Sequence, residues 1–176
     1  DLRLLDIESC VEIDPGQIEA VANHCPLLEE LLAYNDSIFD NDCIIQHVSR
    51  LSKLQRLDLD LRIEQQLSVE AAQALGQGCP SLSDVNMWGN RLTVDTLPVL
   101  ASCLPNLRKA EFSDCYLTDA SLASLAAACP KLSFLDISWN YFTDNGIDTI
   151  WHWAVHFYDF ARYMFSHTHP GFSHCS

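Results

Sequence analysis

Apolar and polar residues alternate here in a composite pattern: apolar, two variable, apolar, one variable, apolar, two variable, then asparagine, cysteine or a substitute. The pattern starts at Leu2, Leu28, Leu54, Leu82, Leu107 and Leu132, at spacings of 26, 26, 28, 25 and 25 residues, which places the insertions in loops. The clearest copies are Leu107, Ala110, Phe112, Cys115 and Leu132, Leu135, Ile137, Asn140. Alternation at the second and third apolar sites predicts a short strand, since alternate strand residues face the same side. The period then lengthens. Leu122, Leu125 and Ala126 fall at i, i+3 and i+4, one stripe of a helix. Asp14-Pro15 and Thr118-Asp119 supply helix starts, because Asp or Thr caps free amides and Pro15 has no amide hydrogen to leave unpaired. Cys25-Pro26, Cys79-Pro80 and Cys129-Pro130 supply stops, since the residue before a proline is pushed out of the helical region.

Each unit is therefore strand, turn, helix and loop, and none buries its apolar face alone. Stacking predicts an α/β solenoid, with parallel strands lining the inside of a curve and helices outside. At the eighth position, Cys10, Asp36, Asn90, Cys115 and Asn140 are expected to point inward and satisfy loop amides. Arg62 breaks the pattern in the third copy. Over roughly residues 2 to 150 the pattern resembles the intracellular leucine-rich-repeat families. Its helical half and Cys-Pro boundary are similar to the ribonuclease-inhibitor-like and cysteine-containing subclasses, the latter familiar from F-box substrate adaptors. The resemblance implies an arc or horseshoe that binds proteins on its concave face. This sequence includes no F-box, so the resemblance by itself does not carry the adaptor role over.

Residues 1–150 are expected to form an array of about six units, and residues 151–176 an aromatic, histidine-rich helix and tail. Ile147, Ile150, Trp151, Ala154, Val155, Ala161, Met164 and Phe165 can share a helical stripe, which suits a cap or a docking segment. Leu2 already occupies the first repeat position, so an uncapped end, covered by another subunit or segment, is expected there.

Charge narrows the choice of partner. With 24 acidic against 10 basic side chains and a formal charge of −14, nucleic acid and anionic membrane surfaces would be repelled, and a basic or neutral protein fits better. No window of about 20 residues is free of charges and apolar, so membrane contact is expected only through a membrane-embedded partner. The eight cysteines read as reduced thiols of an intracellular protein, with Cys25, Cys79, Cys103 and Cys129 at equivalent core positions.

Strand residues alternating with the buried ones face the concavity. The fourth and sixth offsets give Asp6 and Glu8, Leu32 and Tyr34, Asp58 and Asp60, Asn86 and Trp88, Glu111 and Ser113, and Asp136 and Ser138, with Trp139 beside them. None of these is basic. Like charges on neighbouring strands cost stability, a cost that a cationic partner would offset. The partner-binding set is therefore Asp6, Glu8, Tyr34, Asp58, Asp60, Trp88, Glu111, Asp136 and Trp139, the aromatics acting as anchors.

Catalytic chemistry finds little purchase. His152, His156, His167, His169, His174 and Cys175 are metal-ligating types, but their spacing matches no zinc motif and His152-x-x-x-His156 lacks the glutamate of a zinc protease helix. Neither a phosphate-binding glycine loop nor a nucleophile with an ordered base is recognisable, so no enzyme activity and no cofactor are expected. The leading expectation is a non-catalytic interaction module or scaffold. The alternatives are a structural subunit of a large assembly, joined through the tail and the N-terminal end, and a fragment of a ubiquitin-ligase substrate adaptor or GTPase regulator.

Overall fold

A computed structural model describes residues 1–8, 10, 13–34, 41–60 and 66–154. Within them strands and helices alternate: β1 (Leu4–Ile7), α1 (Pro15–His24), β2 (Glu30–Tyr34), α2 (Asn41–Val48), β3 (Arg56–Asp60), α3 (Val69–Gly78), β4 (Asp84–Asn86), α4 (Thr96–Cys103), β5 (Lys109–Glu111), α5 (Asp119–Ala128), β6 (Phe134–Asp136) and α6 (Asp144–Ala154). The strands form one parallel sheet in sequence order, and each helix packs against the next. Helix α6 runs through the boundary expected at 150/151; residues 155–176 lie outside the described residues, as do Asp36 and Arg62.

Local chemistry explains the helix ends. Asp14 caps α1 by accepting from Gln17 N at 2.9 Å, while Gln17 Oε1 accepts from Asp14 N at 3.1 Å. Ser68 caps α3 through Ala71 N at 3.0 Å, and Thr118 is the N-cap of α5. Cys25, Cys79, Leu104 and Cys129 are the C-caps of α1, α3, α4 and α5. The thiols have a task there. Cys79 Sγ donates to Val48 O and Leu51 O at 3.4 and 3.5 Å, and Cys129 Sγ reaches Ala101 O at 3.7 Å, so each bonds to the unit before it.

This register corrects one expectation about the cysteines. Leu104, ahead of Pro105, holds the C-cap of α4, so Cys103 sits one place off the repeat and is half-buried. Cys25 is half-buried too, in the unit that carries an edge strand of the described sheet. All seven described cysteines are free thiols, and burial pushes the Cys79 thiol up to about 12 and Cys129 to about 11, keeping both protonated and unreactive.

On the helix side, Leu31, Leu57, Val85, Ala110 and Leu135 pair across the sheet and are buried in one continuous core with Ile18, Ile44, Leu75, Leu100, Leu122 and Ile150. Two glycines let α3 approach its neighbours. A Cβ on Gly78 would lie 1.8 Å from Ser49 O, and one on Gly76 2.0 Å from Cys103 Cβ. Beyond the strands, the eighth-position residues of the last three units tie each of these to the one before. Buried Asn90 donates to Leu59 O at 2.9 Å, Cys115 Sγ donates to Met87 O at 2.9 Å, and Asn140 donates to Phe112 O at 2.7 Å. Asn140 Oδ1 also accepts from Cys115 N and Leu117 N at 3.0 and 2.8 Å. Carbonyls are thus served as much as the expected amides. Cys10 is exposed, contrary to expectation; it follows β1, an edge strand of the described sheet.

Candidate functional site

The face of the sheet opposite the helices carries two registered rows. One runs Asp6, Leu32, Asp58, Asn86, Glu111 and Asp136, which brings four of the expected partner-binding acids into line. The other runs Leu4, Glu30, Arg56, Asp84, Lys109 and Phe134. Sequence reasoning overlooked this second row, although its signal was available: these positions lie two residues earlier on the same strands and so share the face.

The second row adds cations to a face expected to have none. Arg56 lies 3.8 Å from Glu30 and 4.0 Å from Asp58, and Lys109 Nζ lies 2.6 Å from Glu111 and 5.1 Å from the centre of the Phe134 ring. Both cations are therefore already engaged by carboxylates of the same face, and such half-exposed pairs each contribute up to about 1 kcal/mol. Arg56, Asp58, Asp84, Asn86, Lys109 and Glu111 surround a shallow depression over β3, β4 and β5. At its rim Asp58 is half-buried, and this burial, reinforced by the nearby Glu111 charge, raises its pKa above the usual aspartate value. A hydrogen bond with Asn86 and the charges of Arg56 and Lys109 oppose that shift without cancelling it.

Some of the acidic row has a structural role as well. Asp6 Oδ1 accepts from Glu8 N at 3.1 Å, Asn86 Oδ1 from Trp88 N at 3.0 Å, and Asp136 Oδ1 from Ser138 N at 2.9 Å. One Asx turn thus recurs where three strands end. Of this row, Asp58 and Glu111, which flank Asn86, are the acids that line the depression. Glu8 is exposed past the end of β1, whereas the side chains of Tyr34 and Asp60 lie outside the described residues.

Past the strand ends, Gly89, Asp114 and Trp139 occupy the same loop position with φ of 71°, 54° and 59°. Gly89 N donates to Ser113 O and Asp114 N to Ser138 O, both at 3.0 Å, which fixes the three turns side by side. Strict alternation would send position 139 inward after buried Leu135 and Ile137; the left-handed backbone leaves Trp139 55% exposed. Trp88, one place earlier in its own turn, is 37% exposed. Nearby in sequence, Tyr116 and Tyr141 are exposed with ring centres 5.8 Å apart, and Arg91 lies 4.9 Å over the Tyr116 ring.

Of the histidine-rich constellation only His152 is described; it is exposed, with Nδ1 2.7 Å from Asp148 O. Among the described residues no helix is long and apolar enough to cross a membrane.

No known family profile matches the chain. Among solved structures it is similar to leiomodin-1 actin-binding site 2, with 14% identity and a TM-score of 0.54, over 78% of this chain and 85% of that one. At that identity the likeness extends to the fold, a parallel α/β arrangement, and not to what either protein binds.

Proposed function

We propose that this chain is an intracellular leucine-rich-repeat solenoid acting as a non-catalytic protein-interaction module, and that it takes a basic segment of a partner on the open face of its sheet. The observation that carries the proposal is the charge balance of that face. Arg56 and Lys109 are each paired to carboxylates within it, and Asp6, Asp58, Glu111 and Asp136 still form a row that holds no cation of its own among the described residues.

Paired cations on one row and excess acid on the next define a register for the partner. Its positive side chains sit over the Asp58–Asn86–Glu111 step, where they replace like-charge proximity with attraction. The solenoid reading is supported by six strands in sequence order and by Asn90, Cys115 and Asn140 side chains bonding from the last three units to the ones before.

Neutralising Asp58→Asn together with Glu111→Gln tests the face while preserving side-chain shape. Titrated with an oligolysine peptide, the double variant should bind about tenfold more weakly, with a flatter dependence on salt. Unchanged affinity and unchanged salt dependence would place the binding surface elsewhere.

A further inference from the structure

Charge on this chain is sorted along the strands. Among the described residues every lysine and arginine except Arg91 lies on the first residue of a strand or in the segment leading into one. Carboxylates gather at the opposite end, at Glu111 and Asp136, the last residues of β5 and β6, and at Asp95, Asp114 and Asp119 beyond the strands. Toward β1 the incoming rim is balanced, since Arg3 pairs with Glu29 and Arg56 lies 3.8 Å from Glu30. From β3 onward Asp84 is the one acid on that rim among the described residues.

Lys53, Arg108 and Lys131 carry the excess. All three are exposed, and none is in an ion pair among the described residues; Lys131 Nζ donates to the neutral Asn106 Oδ1 at 2.7 Å. Backbone bonds hold these segments side by side: Ser83 N donates to Gln55 O at 2.9 Å, Arg108 N to Ser83 O at 2.7 Å and Ser133 N to Arg108 O at 2.8 Å. Three strand steps, about 10 Å, separate Arg108 from Glu111. The Debye length at physiological ionic strength is about 8 Å, so a partner charge set over either end answers mainly to that end. Across the strands the first row changes sign at every step, Glu30, Arg56, Asp84 and Lys109, and offers neither charge a continuous field. Along β3 and β5 the sign changes once, from Arg56 to Asp58 and from Lys109 to Glu111.

We propose that the segment received by this face is bipolar: it lies along the strands, with its cations over Asp58 and Glu111 and a carboxylate-bearing stretch over the rim of Lys53, Arg108 and Lys131. The inference rests on the open-face reading above and adds to it a second feature of the partner. An extended chain covers the distance between the two fields in about three residues, so the acidic stretch closely adjoins the basic one.

The test titrates the full chain with two peptides, each of four lysines, two glycines and then either four glutamates or four serines. Net charge alone favours the serine peptide, because the chain carries a formal charge of −14. The rim reverses that order: the glutamate peptide should bind about fivefold more tightly, the gain of exposed ion pairs. Lys53→Gln, Arg108→Gln and Lys131→Gln combined should restore the order set by net charge and leave the serine peptide bound at least as tightly as before. The thermal midpoint should be kept, since the replaced side chains are exposed. Tighter binding of the serine peptide by wild type, or a preference for the glutamate peptide that survives the triple variant, overturns the bipolar segment and leaves the acidic face standing. If neither peptide binds, both proposals fall.

Discussion

On the helix side of the sheet, Leu31, Leu57, Val85, Ala110 and Leu135 share one row, and every one of them is buried. On the open side the adjoining row keeps the same register but reads Leu32, Asp58, Asn86, Glu111 and Asp136, changing character at almost every strand. Both rows are set by one backbone ladder, so the contrast does not come from geometry. It comes from what each side chain meets. Inward positions meet the next unit's core, where packing near crystal density admits only apolar groups of suitable volume. Outward positions meet solvent or a partner, and there the fold demands little beyond the Asx turns at Asp6, Asn86 and Asp136. The face that the fold leaves unconstrained is where specificity can be written.

This contrast can be broken most forcefully from the packed side. Gly78→Val forces side-chain atoms into the space where a Cβ already lies 1.8 Å from Ser49 O, and it should cost about 3 kcal/mol, read from chemical denaturation. A smaller loss is expected where units are tied together. Asn90→Ala strands the buried Leu59 carbonyl of β3 and should cost about 2 kcal/mol, with the far-ultraviolet spectrum of the folded protein preserved.

Substitutions on the open face should behave in the opposite manner, altering binding while leaving stability near wild type. The Asp58→Asn and Glu111→Gln pair belongs to this class, as does the combination of Lys53→Gln, Arg108→Gln and Lys131→Gln. The smallest effect is one of pH. Asp58 has its pKa raised by burial, so the folded state favours its neutral form; that contribution is complete below the ordinary aspartate value and is lost as pH rises through the elevated one. Stability should therefore decline slightly across that acid window in wild type, and the decline should be absent in Asp58→Asn. Cationic peptide binding should strengthen over the same window as the carboxylate ionises.

The division between the two faces also explains what was legible in the sequence. The alternation of strand and helix and five of the helix ends could be read directly, because Leu107–Ala110–Phe112 or Asp14-Pro15 each admits few local solutions. Cys103 misled because its neighbour Leu104 takes the capping place before Pro105; residue identity was followed there instead of the repeat register. Arg56 and Lys109 were missed at an alternation that was legible but not extended far enough toward the N-terminal ends of the strands. Trp139 was placed beside the outward positions, but not the reason for its exposure, since a period of two cannot report the sign of φ, and the left-handed turn breaks the alternation there.

The central claim is that the open sheet face receives a basic segment, and amide chemical-shift mapping with a short arginine- and lysine-containing peptide tests it most directly. The account predicts shifts concentrated at Asp58, Asn86, Glu111 and Asp136, with the helices α1 to α5 unmoved. Shifts confined to the helices, or a peptide that leaves the strand amides undisturbed at saturating concentration, would contradict it.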